Sequence, residues 1–233
     1  TFSRSLKVSA TESIMNTRED PMTTLRRLSA LALLMLPAPA LAAQSAIEPG
    51  PLTLPNGLAV LVIQPESRLW FEGTSTVRDF RCEATRIDGA VELDAAGPSI
   101  AVADLQRSVR GVRLDIAVAD LDCRNGTMND HMRKALKAEQ NPGIAYRMTK
   151  YDLALQENGD GLARLEGELT IAGTTQPITM EAVVTPGPDG TLKVQGNKEI
   201  IMTEFGVNPP KLMLGTLKVN PRVVVHFDVV LKQ

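Results

Sequence analysis

Leu165-Glu166-Gly167-Glu168-Leu169-Thr170-Ile171-Ala172-Gly173-Thr174-Thr175-Gln176-Pro177-Ile178-Thr179-Met180-Glu181-Ala182-Val183-Val184 is the stretch that decides the fold. Leu165, Gly167, Leu169 and Ile171 alternate with charged or polar residues, and Ile178, Met180, Ala182 and Val184 resume the alternation after Gly173-Thr174-Thr175-Gln176-Pro177. A period of two is that of a half-buried strand, since successive side chains point to opposite faces of a sheet. Two such runs around a turn predict a β-hairpin.

The same grammar extends in both directions. Downstream, Pro186-Gly187-Pro188-Asp189-Gly190 reads as a turn, with strands expected over Leu192–Val194 and Lys198–Thr203. The last strand sets Val223, Val225, Phe227, Val229 and Leu231 against Arg222, His226 and Asp228. Upstream, Asn158-Gly159-Asp160-Gly161 separates this hairpin from a strand over Ile144–Leu153. Earlier still, Leu69, Phe71, Gly73, Ser75 and Val77 share one face; Asp88-Gly89 turns into Ala90–Leu93, and strands are expected over Ser99–Val102 and Val112–Val118. One short helix is expected near 128–138, where Met128, Met132, Ala135 and Leu136 recur at helical spacing, Thr127 and Asp130 resemble a capping box, and Asn141-Pro142-Gly143 stops the helix. The expectation is an all-β, antiparallel domain of about eight strands, a barrel or a sandwich.

The N-terminal part reads differently. After Met22, Arg26-Arg27 precedes an apolar run from Leu28 to Leu36, and Ala40-Leu41-Ala42 offers the small side chains of a signal-peptidase site. That run is shorter than the roughly 20 residues a bilayer span needs. Residues 22–42 are therefore expected to be a signal peptide, 1–21 an extension upstream of the start, and 43–66 an extended lead-in with at most one strand, Leu58–Ile63. Residues 67–233 are the expected β domain, and the expected location is periplasmic or secreted. In an oxidising compartment Cys82 and Cys123 read as a disulfide, with two buried free thiols as the other option. A metal site is not expected, because zinc wants four ligands and only His131 and His226 are available beside the cysteines.

Function classes can be excluded by what the chain lacks. A formal net charge of −2 with acids and bases interspersed argues against a nucleic-acid surface. Nucleophile-elbow, phosphate-loop and metalloprotease motifs are missing, and Asp130 beside His131 is not an acid–base couple, because adjacent helix residues do not face each other. No enzyme and no cofactor are expected.

Asn129-Asp130-His131-Met132, Asn141-Pro142-Gly143-Ile144-Ala145-Tyr146, the Leu165–Ile178 hairpin and Glu204-Phe205-Gly206-Val207 occur in an order that resembles the YceI-like family. The resemblance covers roughly Ser67 to Lys232. It implies a lipocalin-like antiparallel barrel that carries a polyisoprenoid, quinone or other long lipid. Candidate ligand-binding walls are Phe71, Met132, Leu136, Tyr146, Met148, Leu169, Met180, Phe205, Met213 and Phe227, with ordinary core packing as the competing reading. Arg147 and Lys211 are candidates for meeting an anionic head group, against a plain solvated role. The alternative function is a non-enzymatic exported β domain that binds a protein partner or is structural. The oligomeric state stays open, a homodimer included.

Overall fold

The computed structural model describes residues 58–94, 100–212 and 216–233. The expected signal peptide, the upstream extension, most of the lead-in and Met213 lie outside the described residues. Among the described residues twelve strand segments run in chain order: β1 Leu58–Ile63, β2 Arg68–Ser75, β3 Phe80–Ala84, β4 Asp88–Asp94, β5 Val109–Ala117, β6 Leu121–Asp122, β7 Gly143–Leu155, β8 Gly161–Ile171, β9 Thr174–Pro186, β10 Leu192–Ile201, β11 Lys211–Leu212 and β12 Leu217–Lys232. Every pairing is antiparallel.

The segments combine into a closed, eight-stranded antiparallel barrel. β1 and β2 are two halves of one bent strand. β12 pairs with both halves, and β4 and β3 follow them on the other side. β5 and β6 form the next stave, and β7, β8, β9, β10 and β12 complete the ring, which closes where Val62 and Ile63 meet Lys232 and Leu231. Among the described residues closure pairs the staves side to side and covers most edges of the kind that template aggregation. The choice between barrel and sandwich, which periodicity left open, is thus made by the β1–β12 contact between two distant segments.

The opening hairpin has a tighter turn than expected. Ile171 already pairs with Thr174, so the turn is Ala172-Gly173, and Gln176-Pro177 belongs to the strand. Ala172 at φ 49° and Gly173 at φ 80° are both left-handed, as a two-residue turn matched to strand twist demands. Two further expectations are corrected. The strand expected over Ser99–Val102 is instead a 3-10 turn, Val102–Asp104, that runs into the short helix α1, Leu105–Ser108. Val102 and Leu105 are buried there, so apolarity signalled a plug across the barrel end and not a stave.

The expected helix is present as α2, Gly126–Ala135. Its cap is Asn125, whose side chain accepts a hydrogen bond from the Met128 N–H at 3.0 Å, and not Thr127 with Asp130. Asn125 outcompetes Thr127 because it is extended and one residue ahead of the first helical turn, where a cap must stand. The Cys82–Cys123 disulfide fastens the segment before α2 to β3.

Candidate functional site: an apolar cavity along the barrel axis

Alternation sends one side of each stave inward, and the interior they enclose is a cavity of about 610 Å³. Its two ends differ. At the end carrying α1, Ala59, Leu61, Leu93, Ile100, Val102, Leu105, Leu192 and Leu231 are all buried and pack as one cluster. α1 is tied down there: the Tyr151 hydroxyl donates to the Leu105 carbonyl at 2.9 Å and accepts from the Val109 N–H at 3.2 Å, while Gln106 Nε2 donates to the Leu153 carbonyl at 3.1 Å. That end is sealed.

The other end carries α2, the β2–β3 hairpin and the 3-10 turn Met202–Phe205. Asn125, Thr127 and His131 of the α2 region line the cavity with Ser75 and Arg78 of the hairpin, so most of the polar lining gathers at this end. Met132 and Leu136 pack over Leu69, Ile116 and Leu121. Asp122, which anchors the helix start, accepts from Asn129 Nδ2 at 2.8 Å and from the Arg124 N–H at 2.9 Å; these bonds hold its carboxyl below the ordinary range.

Of the residues singled out from the sequence, Phe71, Met132, Leu136, Tyr146, Leu169, Met180, Phe205 and Phe227 line the cavity. Phe205 is also deeply buried beneath the end, packed with Ile200, Val207 and Val223. Met148 is not among the lining residues: it sits at a bulge, where the register between β7 and β8 shifts by a residue, and Tyr151 beyond the bulge lines the cavity in its stead. Arg147 faces water and pairs with Asp115 at 2.6 Å, the solvated role. The side chain of Lys211 lies outside the described set.

Several lining residues escaped the sequence reading. Leu61 and Ile63 come from β1, which lies in the stretch read as lead-in. Lys198 lines it too: the two expected pieces Leu192–Val194 and Lys198–Thr203 are one strand, which carries the phase Leu192, Val194, Gly196, Lys198, Ile200 across Gly196. Followed unbroken, that phase sets a lysine in an inward column, a signal that was present in the sequence.

Tyr146 is 5% exposed, and its hydroxyl has no hydrogen-bond partner. Burial pushes its phenol up to about 12. The ring lies across β8 at Gly167, where an added Cβ would stand 2.6 Å from Cε2 and 2.7 Å from Cζ, so any side chain there would displace it. His226 is on the outer wall, stacked on Trp70 with centroids 5.1 Å apart, and its Nε2 is 3.7 Å from Glu72. The two histidines therefore share no site. Among the described residues no cluster of three metal-ligating side chains occurs.

Comparison with known proteins follows the same lines. No curated protein matches the sequence. Solved structures of Burkholderia cenocepacia BcnA and of a polyisoprenoid binding domain from Saccharophagus degradans share the fold. The first is 17% identical, with TM-score 0.56 over 71% of this chain and 96% of that one. The second is 15% identical, with TM-score 0.57 over 75% of this chain and 98% of that one. The YceI-like domain matches residues 62–231, and the chain belongs to that family.

Proposed function

We propose that the protein is an exported carrier that holds a long apolar amphiphile, such as a polyisoprenoid, a quinone or a related lipid, inside the barrel. The observation that carries the proposal is the cavity inside the barrel, lined almost wholly by apolar side chains. Its volume of about 610 Å³ falls within the range of roughly 300–1,000 Å³ typical of small-molecule sites. Burial of ten methylene equivalents contributes roughly 8 kcal/mol. Association costs about 4 to 15 kcal/mol. A short chain therefore binds weakly, and a long tail or a held head group is needed. The Saccharophagus neighbour, a polyisoprenoid binding domain, supports this class of ligand.

Export is supported by the basic-apolar-small pattern of residues 22–42 and by the Cys82–Cys123 disulfide, which suits an oxidising compartment. Among the described residues no helix is long and apolar enough to cross a membrane. The alternative, a module that docks a protein by an apolar face, has less behind it: of the exposed large apolar residues Val62, Val77, Leu155, Leu162 and Val183, the pair Leu162 and Val183 are cross-strand partners and the rest are scattered.

Native mass spectrometry and solvent extraction of protein isolated from its own host should yield one prenyl or acyl lipid per chain. Protein that is consistently empty and also fails to take up a neutral fluorescent lipid probe overturns the proposal.

A further inference from the structure

We infer that the barrel has a lateral portal between β9 and β10, closed by the side chains of Met180 and Lys198, through which the apolar chain of the ligand reaches an outer subsite floored by Leu162 and Val183. The inference rests on the carrier reading above and adds a route through the wall and a place for the part of the chain that the interior does not hold.

The wall parts at this point. The β9–β10 ladder runs from Leu192 opposite Pro186 to Asn197 opposite Glu181 and ends there. Just before the end the two strands are in close contact, since a Cβ added at Gly196 would stand 2.5 Å from the Glu181 carbonyl oxygen. Beyond it β9 keeps β8 as its partner from Met180 back to Thr174, and β10 keeps β12 from Lys198 to Ile201. Two strands that continue without pairing to each other leave a wedge. The side of the wedge toward α2 is filled by the Met202–Phe205 turn: Phe205 is buried and packs with Ile178 and Ile200, and Gln176 Nε2 donates to the Glu204 carbonyl at 3.1 Å.

Met180 and Lys198 stand at the apex of the wedge. They are the two residues that line both the interior cavity and a separate depression of about 460 Å³ on the outer wall, so their side chains form the partition between the two spaces. Ile178 packs with the Phe205 cluster and Ala182 with the cluster at the α1 end, whereas Met180 between them belongs to neither. Methionine and lysine suit a movable partition. Both are unbranched and flexible, and a lysine swings its ammonium into water while its stem stays on apolar surface. Each end of the barrel, in contrast, carries a helix that is tied down. α1 is held by the hydrogen bonds of Tyr151 and Gln106, and α2 packs Met132 and Leu136 over the other end behind the Cys82–Cys123 disulfide.

The outer depression accounts for an apolar pair left in water. Leu162 and Val183 are cross-strand partners, 43% and 42% exposed, and both line it. Exposed apolar surface beside a partition from an apolar interior gives a chain a continuous path out of water. The occupant is a single lipid chain and not a protein: two side chains fall far short of the roughly 800 Å² per partner that a stable protein interface buries. The interior, about 610 Å³, is finite, so a chain too long for it has to leave, and the apex of the wedge opens onto this pair.

The test uses the full-length protein freed of lipid, with parinaryl alcohol, a neutral linear polyene whose fluorescence reports entry and exit. Met180→Cys/Lys198→Cys is bridged with a short bismaleimide, to which the native cysteines, being paired, do not react. Bridging should slow association and dissociation together by about tenfold or more, because a shut portal blocks both directions. Lys198→Trp, which narrows the same gap without a new thiol, should slow both rates in the same sense. The outer subsite is read with two neutral prenols, farnesol and solanesol, each added as a cyclodextrin complex and competing with the probe. Leu162→Ser/Val183→Ser should lower the ratio of solanesol affinity to farnesol affinity by about tenfold. Rates unchanged both by the bridge and by Lys198→Trp, or an unchanged ratio in the Leu162→Ser/Val183→Ser protein, overturn the inference, while displacement of the probe by farnesol leaves the carrier reading standing. If neither prenol displaces the probe from the wild type, both fail.

Discussion

Tyr146 places a proton donor where the protein itself offers nothing to receive it. Burial pushes its phenol from the ordinary 10.0 to about 12 in the folded chain. The sign of the linkage follows: the unfolded chain ionises first, so this group's contribution is complete below pH 10 and is lost as pH rises through about 12. In urea melts across that window, wild-type stability should fall more steeply than that of Tyr146→Phe, and parallel curves would contradict the assignment. At neutral pH the empty Tyr146→Phe protein should match or exceed the wild type, because an unsatisfied hydroxyl has been removed. Gly173 illustrates the opposite, a purely architectural demand. At φ 80°, with an added Cβ only 2.5 Å from Asn141 Oδ1, Gly173→Ala should lower stability by about 1 to 2 kcal/mol in thermal or urea melts.

Among the elements, α2 answers to its cap and its tether. Asn125→Ala should cost about 1 kcal/mol and raise amide exchange in the first turn of α2, while the β8–β9 ladder is unaffected. How far each element was legible depends on where its determinants lie. β8, β9 and β12 were readable because their alternation is enforced locally by an apolar interior on one side and water on the other. α1 was not, since Val102 and Leu105 are apolar for a reason that exists only after the barrel forms around them. The bulge at Met148 is equally invisible in sequence: a one-residue register shift there leaves composition unchanged and alters which side chains line the cavity. The candidate site was therefore legible as a list of large inward residues, but Lys198 was missed when Gly196 was allowed to break a strand that runs through it.

At the scale of the molecule, hollowness and closure can be tested separately. Leu165 lines the cavity midway along β8, and Leu165→Trp should fill space that is empty in the lipid-free protein. Lipid-probe affinity should fall about tenfold or more with the melting temperature nearly unchanged, whereas a solid core would respond to the same overpacking with a loss of roughly 1 to 3 kcal/mol. The segment before α2 is held to β3 by Cys82–Cys123, separated by 41 positions in the chain. In the chain-entropy model a loop of that length stabilises by about 4 kcal/mol, so reduction should lower the urea midpoint by a corresponding amount without changing the strand content of the protein still folded. The ring is completed by β12, the last strand to be made, which pairs with β10 on one side and with β1 and β2 on the other. A chain synthesised from its N-terminus holds the apolar Leu-Ala-Val-Leu-Val-Ile of β1 with one open edge until the final sixteen-residue strand arrives. Such long-range closure is slow and leaves β1 exposed to mispairing, so truncation within β12 should show itself first as aggregation during synthesis and only second as lost binding.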